Sequence, residues 1–316
     1  MKGQRRTTWL TGFLAILYYE FLWNLRKKKI VGLFILVFAI VTLELALPPL
    51  LDYYNGVPLT PNSNVAFGFF NGLSGIFLFL IAVATTMNTI SGEFETGSIT
   101  PLLTKPVSKN TVFLGKITAS FLTLLGIYAF LTIYVTMGGV LIEGSQSNLQ
   151  LVPLGLVGLI LATMVWGSLV ILLGTLSKSS LVAALGSFGA WIGVTIAGSI
   201  LGSVFGQTAI LFYAPGGGAT GSTAGCGTGR LEAGGTFATG TDNLGYMLMQ
   251  WALNGSNTLN FCGFRFRGGA SETFLASSDT IANVALRDLG VTLAYLAVFL
   301  FLSWYAFRRA QIIESA

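Results

Sequence analysis

Long apolar stretches alternate with short polar ones along this chain, on a scale far coarser than a helical turn or a strand pleat. Six apolar blocks stand out, at about 30–50, 66–90, 112–142, 152–176, 181–205 and 287–307. Each reaches the roughly 20 residues that a helix needs to cross a hydrocarbon layer about 30 Å thick. Irregular backbone cannot face lipid, so the blocks are predicted to be helices. The pattern therefore predicts an all-α polytopic membrane protein, with one transmembrane domain over 1–316 and six spanning helices. Composition agrees: 53% of residues are hydrophobic, only 9% are charged and the mean hydropathy is +0.75, far from the makeup of a soluble domain.

The polar stretches set the orientation. Of 17 Lys and Arg residues, 13 fall in the N-terminal tail, the second and fourth loops and the C-terminal tail. The first and third loops, 51–65 and 143–151, contain none. By the positive-inside rule both termini are predicted to be cytoplasmic, in a multi-pass protein of the cell membrane. The net charge of +5 reflects that bias. Its basic residues sit at span ends and form no single patch, so no nucleic-acid partner is expected.

Ahead of the first block, Lys2, Arg5 and Arg6 precede WLTGFLAILYY, a start that resembles a secretory signal but lacks a small-residue cleavage site. Leu10, Phe13, Leu14, Leu17, Phe21 and Leu25 recur at helical spacing, with Thr11, Glu20 and Asn24 off that stripe. An amphipathic helix over 6–28, lying on the inner leaflet and anchored by Trp9, Trp23 and the Arg26–Lys29 cluster, fits better than an uncleaved signal-like anchor.

The fifth loop, 206–284, is predicted to be a large extracellular segment. Its 214–242 part is rich in Gly, Thr, Ser and Ala, a composition that suits a poorly ordered surface loop. No phosphate-loop pattern occurs there or elsewhere. LGYMLMQWALN, 244–254, reads as a short amphipathic helix on the outer membrane surface. Cys226 and Cys262 are the only cysteines. In an oxidising exterior they are expected to pair, with two free thiols as the alternative. Asn254 opens an Asn-Gly-Ser triplet, a possible glycosylation site on the side where such a site would be used.

Catalytic chemistry is sparse. The chain has no His, which removes imidazole acid–base catalysis and His metal sites; no catalytic residue, metal or bound cofactor is expected. Glu44 is the one carboxylate well inside an apolar run, and reads equally as functional or interfacial. In span five, Gly189, Gly193 and Ala197 are spaced by four, as are Gly198, Gly202 and Gly206, a spacing that lets helix backbones approach closely. Asn71, Thr85, Thr86 and Asn88 in span two, with Thr195 and Ser199 in span five, suit either a pathway lining or ordinary interhelical hydrogen bonds.

Residues 91–116, SGEFETGSITPLLTKPVSKNTVFLGK, form a long polar stretch between two spans on the basic side. Gly97 can break span two, Ser98 can cap a new turn, Pro101 is tolerable within that turn, Pro106 ends it and Ser108 can cap span three. This string resembles the signature of ATP-binding-cassette type-2 exporter permeases: Glu93 and Glu95, Gly97-Ser98, Leu102-Leu103, Pro106-Val107-Ser108-Lys109, then Gly115-Lys116. The six-span layout, the N-terminal helix and the long outer loop with two cysteines extend the likeness over most of the chain. The Gly-rich insertion is longer than the family pattern, and Pro101 interrupts what is usually an acidic–apolar helix.

The resemblance implies a permease subunit that pairs with a second protomer, identical or homologous, in the lipid bilayer. It implies docking of a separate ATPase chain, the holder of ATP and Mg, through residues 93–106 of the cytoplasmic coupling segment at 91–110. The residues carried over for coupling are Glu93, Glu95, Gly97, Ser98, Leu102, Leu103 and Pro106. A pathway or dimer interface would involve Asn71, Gly189, Gly193, Thr195 and Ser199. Two other readings stand beside it: a membrane-anchored assembly protein whose outer loop is the working part, and an ATP-independent secondary carrier.

Overall fold

The structure, a computed structural model, describes residues 9–26, 28–58, 61–97, 108–203, 208–223, 226, 236–267 and 270–309. It is mostly helical, and six of its described helical segments are long and apolar enough to cross a membrane: Ile30–Tyr54, Ile76–Thr96, Lys109–Glu143, Leu149–Ser177, Ser180–Gly202 and Ile281–Arg309.

Helix α1 (Trp9–Arg26) is followed by α2 (Lys28–Tyr54). The second apolar block is not one rod, and here the structure departs from the continuous helix expected over 66–90. It divides into α3 (Val65–Gly72), α4 (Ile76–Thr86) and α5 (Ser91–Thr96). Gly75, at φ 68°, makes the first break, a conformation that a side chain would strain. Helix α6 (Lys109–Glu143) is about 52 Å long at 1.5 Å per residue, so its ends project beyond a bilayer core. At its start Ser108 accepts a hydrogen bond from the Thr111 amide at 3.1 Å, the expected cap of span three. Helices α7 (Val152–Ser177) and α8 (Ser180–Ser203) follow, and α11 (Ile281–Arg309) closes the chain.

The bundle core is aromatic and aliphatic. Trp166, Tyr128, Phe70 and Phe79 are its largest fully buried side chains, and Phe79 meets Trp166 edge-on at 5.8 Å. Buried hydroxyls pair across helices: Tyr128 with Thr163 at 2.7 Å and Thr89 with Ser120 at 3.1 Å. Thr85 and Thr86 instead donate to carbonyls of their own helix and are buried within the bundle.

At the end of the bundle away from α5, the fifth loop folds into a cap. It holds α9 (Thr208–Leu211), β1 (Thr220–Ser222), β2 (Thr236–Ala238), α10 (Leu244–Asn254), β3 (Thr258–Arg267) and β4 (Ala270–Thr280). The strands form one antiparallel sheet in the order β2-β1-β3-β4. The poorly ordered surface loop suggested for 214–242 is thus corrected for the described part: β1 pairs with β2, Thr220 opposite Ala238. Glycines make this possible. Gly218 (φ 59°) and Gly240 (φ 93°) approach so closely that a Cβ on Gly240 would lie 2.5 Å from the Gly218 nitrogen. Cys226 and Cys262 form a disulfide.

Helix α10 also differs from expectation. Leu244, Gly245, Met247, Leu248, Met249 and Gln250 are buried, so the helix packs against α7 rather than resting on a membrane surface. Just before it, the Asp242 carboxylate accepts from the Trp166 indole at 2.8 Å. Burial pushes this acid up to about 6, with the bonds from Trp166 and Thr241 opposing the rise. Asp288 of α11 accepts from the Gly240 amide at 2.9 Å, so two acids pin the cap to two spans.

Candidate functional site

The acids that open the connector are locked into the bundle. Lys116 on α6 is 2% exposed and lies 2.5 Å from both Glu20 of α1 and Glu93 of α5. One buried ammonium thus joins three helices, its own included. Two carboxylates sharing one cation suit a site where an unpaired charge would be costly. One turn beyond Glu20, Asn24 donates to Thr123 of α6 at 3.5 Å.

This arrangement revises the reading of α1. Glu20 and Asn24, placed off the apolar stripe from sequence, are buried against α6. Leu10, Leu14, Tyr18 and Trp23 are exposed. The helix therefore has one face on α6, partly polar because its partners are polar, and an apolar face left for lipid. Gly115 permits the contact: a Cβ there would stand 2.9 Å from the Ile16 Cγ2.

Glu95 performs a second junction. Its carboxylate accepts from the Ser180 amide at 2.6 Å and from the Ser180 hydroxyl at 2.7 Å. That places an acid at the N-terminus of α8, where unsatisfied amides and the helix dipole favour it. Phe94, between the two acids, meets Phe307 of α11 edge-on at 6.5 Å and lies 5.8 Å from the Lys178 ammonium. Gly97 ends α5 at φ 68°. The short helix α5 is therefore a hub touching α6, α8 and α11, and through Lys116 also α1. Ser98, Leu102, Leu103 and Pro106 lie outside the described residues.

The second group of predicted residues divides. On α8, Gly189 and Gly193 have open space where a side chain would stand, and Thr195, Ala197 and Ser199 are exposed with them. The other glycine series is filled from within the chain: Leu211 of α9 sits 3.3 Å from a Cβ on Gly198 and 3.1 Å from one on Gly202. Gly206 lies outside the described residues. Asn71 is distant in sequence from this face and borders a cavity beside α10, together with Asn254. Asn254 donates its amide to Gln250 at 3.0 Å. Glu44 is exposed on α2 beside Gly72. Among the described residues, no group of three or more His, Cys, Asp or Glu is placed to hold a metal ion.

Sequence reasoning missed the Glu20–Lys116 pair. A signal was present: two isolated charges, each within an otherwise apolar helix, need opposite partners.

A family model described as ABC-2 family transporter protein matches residues 14–312. This chain belongs to that family. It is accordingly a membrane transport permease, and the match runs from within α1 to beyond α11, so the cap and hub both lie inside it. Curated proteins provide no match to the permease.

Proposed function

We propose that this permease is the membrane subunit of an ATP-driven exporter, coupled to a separate ATPase chain through residues 93–106. The observation that carries the reading is the hub at α5. A force applied to the connector would reach α1 and α6 through Glu93 and Lys116, α8 through Glu95, and α11 through Phe94. A free surface loop would transmit little; a short helix tied to four others moves them together.

The permease supplies no nucleotide site of its own in this reading, and ATP and Mg belong to the partner. Two protomers, identical or homologous, meet across the open small-residue face of α8 at Gly189, Gly193 and Ala197, with Thr195 and Ser199 beside it. Small residues suit close helix approach where lipid offers no hydrophobic drive. Both termini and the connector face the cytoplasm, and the disulfide-bonded cap faces out. Closure of the ATPases rocks the connectors and switches access to a pathway between protomers.

Affinity purification from the native host tests the coupling. A nucleotide-binding chain should accompany the wild-type permease and be lost when Leu102 and Leu103 are both changed to Asp, while the permease still reaches the membrane. Purified permease that moves a solute under an ion gradient without ATP would replace this reading with a secondary carrier.

A further inference from the structure

A cavity of about 500 Å³ opens between α3, the turn before α7 and α10. Its volume lies in the ordinary range of small-molecule sites, about 300–1,000 Å³. Five carboxamides border it: Asn64, Asn71, Asn148, Gln250 and Asn254. Among the described residues, no charged side chain does. Two aromatic rings, Phe67 and Tyr246, set edge-to-face at 5.4 Å, line it as well, with Gly68 and Leu253.

The amides are arranged as well as numerous. Gln250 donates to the Tyr246 hydroxyl at 2.9 Å and accepts from the Asn254 amide at 3.0 Å. That relay fixes the Gln250 amide, and among the described residues the Tyr246 hydroxyl proton and the Asn254 side-chain Oδ1 have no other partner. Asn148 is held at φ 58°, a left-handed conformation that few residues besides Asn and Gly adopt. A carboxamide offers both donor and acceptor, so it can meet a hydroxyl in either sense. Aromatic faces carry negative charge density that accepts the polarised C–H groups of a sugar ring.

We propose that this cavity binds a neutral, hydroxyl-rich group: a sugar, free or as the headgroup of a glycolipid. An ionised ligand would find no counter-charge among the lining residues, and an apolar one would make no hydrogen bond to the amides that line the cavity.

Permease in phosphatidylcholine nanodiscs, prepared without glycoside detergents, allows the test by saturation-transfer NMR and calorimetry. The probes are maltose, monoglucosyl diacylglycerol in the disc, and triglycine as a neutral amide control. Wild type should bind maltose or the glucosyl lipid; the first marks a soluble source, the second a headgroup. Gly68→Leu fills the cavity from a helical position with open space around it, so the fold should tolerate it. This variant and Asn71→Leu should each weaken sugar binding about tenfold or more, as expected from lost hydrogen bonds and lost room. Asn55→Ala, an exposed amide elsewhere, should change nothing. Failure of folded wild type to bind either sugar probe, equal binding of triglycine, or undiminished binding by both variants would overturn the proposal. No step needs ATP or a partner chain, so this outcome and the loss of ATPase coupling can be told apart.

Discussion

Replacing Lys116 with Met should cost the permease about 3–5 kcal/mol, the usual loss when one member of a buried ion pair is removed. Lys116 is 2% exposed, and its two partners are 11% (Glu20) and 20% (Glu93) exposed. Without the ammonium, the Glu20 and Glu93 carboxylates would both lose the cation they share. The triple variant Lys116→Met, Glu20→Gln, Glu93→Gln should recover most of the stability, because it removes the charges along with their partner. Thermal unfolding of the two variants in one lipid environment checks this. A single variant as stable as wild type, or a triple variant no better than the single, would contradict the triad. Stability is only half of the expectation: the triple variant breaks the ionic link between α1 and α5, so with the proposed ATPase chain bound it should still support ATP hydrolysis but transport poorly.

Gly158→Leu should detach α10 from α7. A Cβ at Gly158 would stand 2.6 Å from the Gly245 Cα, 2.7 Å from its nitrogen and 2.9 Å from the Leu244 carbonyl carbon. All three are backbone atoms, so no side chain can swing away. The contact is reciprocal, since a Cβ on Gly245 would come within 2.6 Å of the Gly155 oxygen. Overpacking of this kind costs about 1–3 kcal/mol where neighbours can shift, and Ala should fall in that range. Leu should exceed it and expose the cap to protease while the spans stay inserted. Gly290→Ala is the control, with nothing within 4 Å of its Cβ, and should be neutral. Equal protease resistance in Gly158→Leu and wild type would show that α10 does not need the close approach.

The contrast between these two sites explains what could be read from sequence. Apolar block length reveals spans because the bilayer imposes it, and the alternation of basic and uncharged loops follows from the same constraint. Gly97 and Ser108 were legible because helix ends have local chemistry: a left-handed residue at one, a hydroxyl cap at the other. The break at Gly75 was hidden, since both sides of it are equally apolar and only tertiary packing chooses between a rod and a bend. The sheet in the cap was hidden for a related reason. Its short strands β1 and β2 border the Gly-rich stretch, which gave no alternation to signal them. Strand β1 pairs with a residue far along the chain, Gly221 with Phe261, whereas the longer β3 and β4 pair as a local hairpin. The roles of Glu93 and Glu95 were half legible. Acids at the connector were evident, but their partners Lys116 and Ser180 lie on other helices, where sequence spacing carries no information. Glu20 and Asn24 show the limit of amphipathic reasoning: a polar residue off the stripe can face a polar partner inside the protein as readily as water.

The whole coupling scheme requires the connector to face the cytoplasm. The protein's only two cysteines are joined to each other, so Leu102→Cys would carry a single free thiol. A membrane-impermeant maleimide should leave that thiol unlabelled on intact cells and label it fully once the membrane is opened. Labelling of Leu102→Cys on intact cells would put the connector outside, beyond the reach of any ATPase, and end the account.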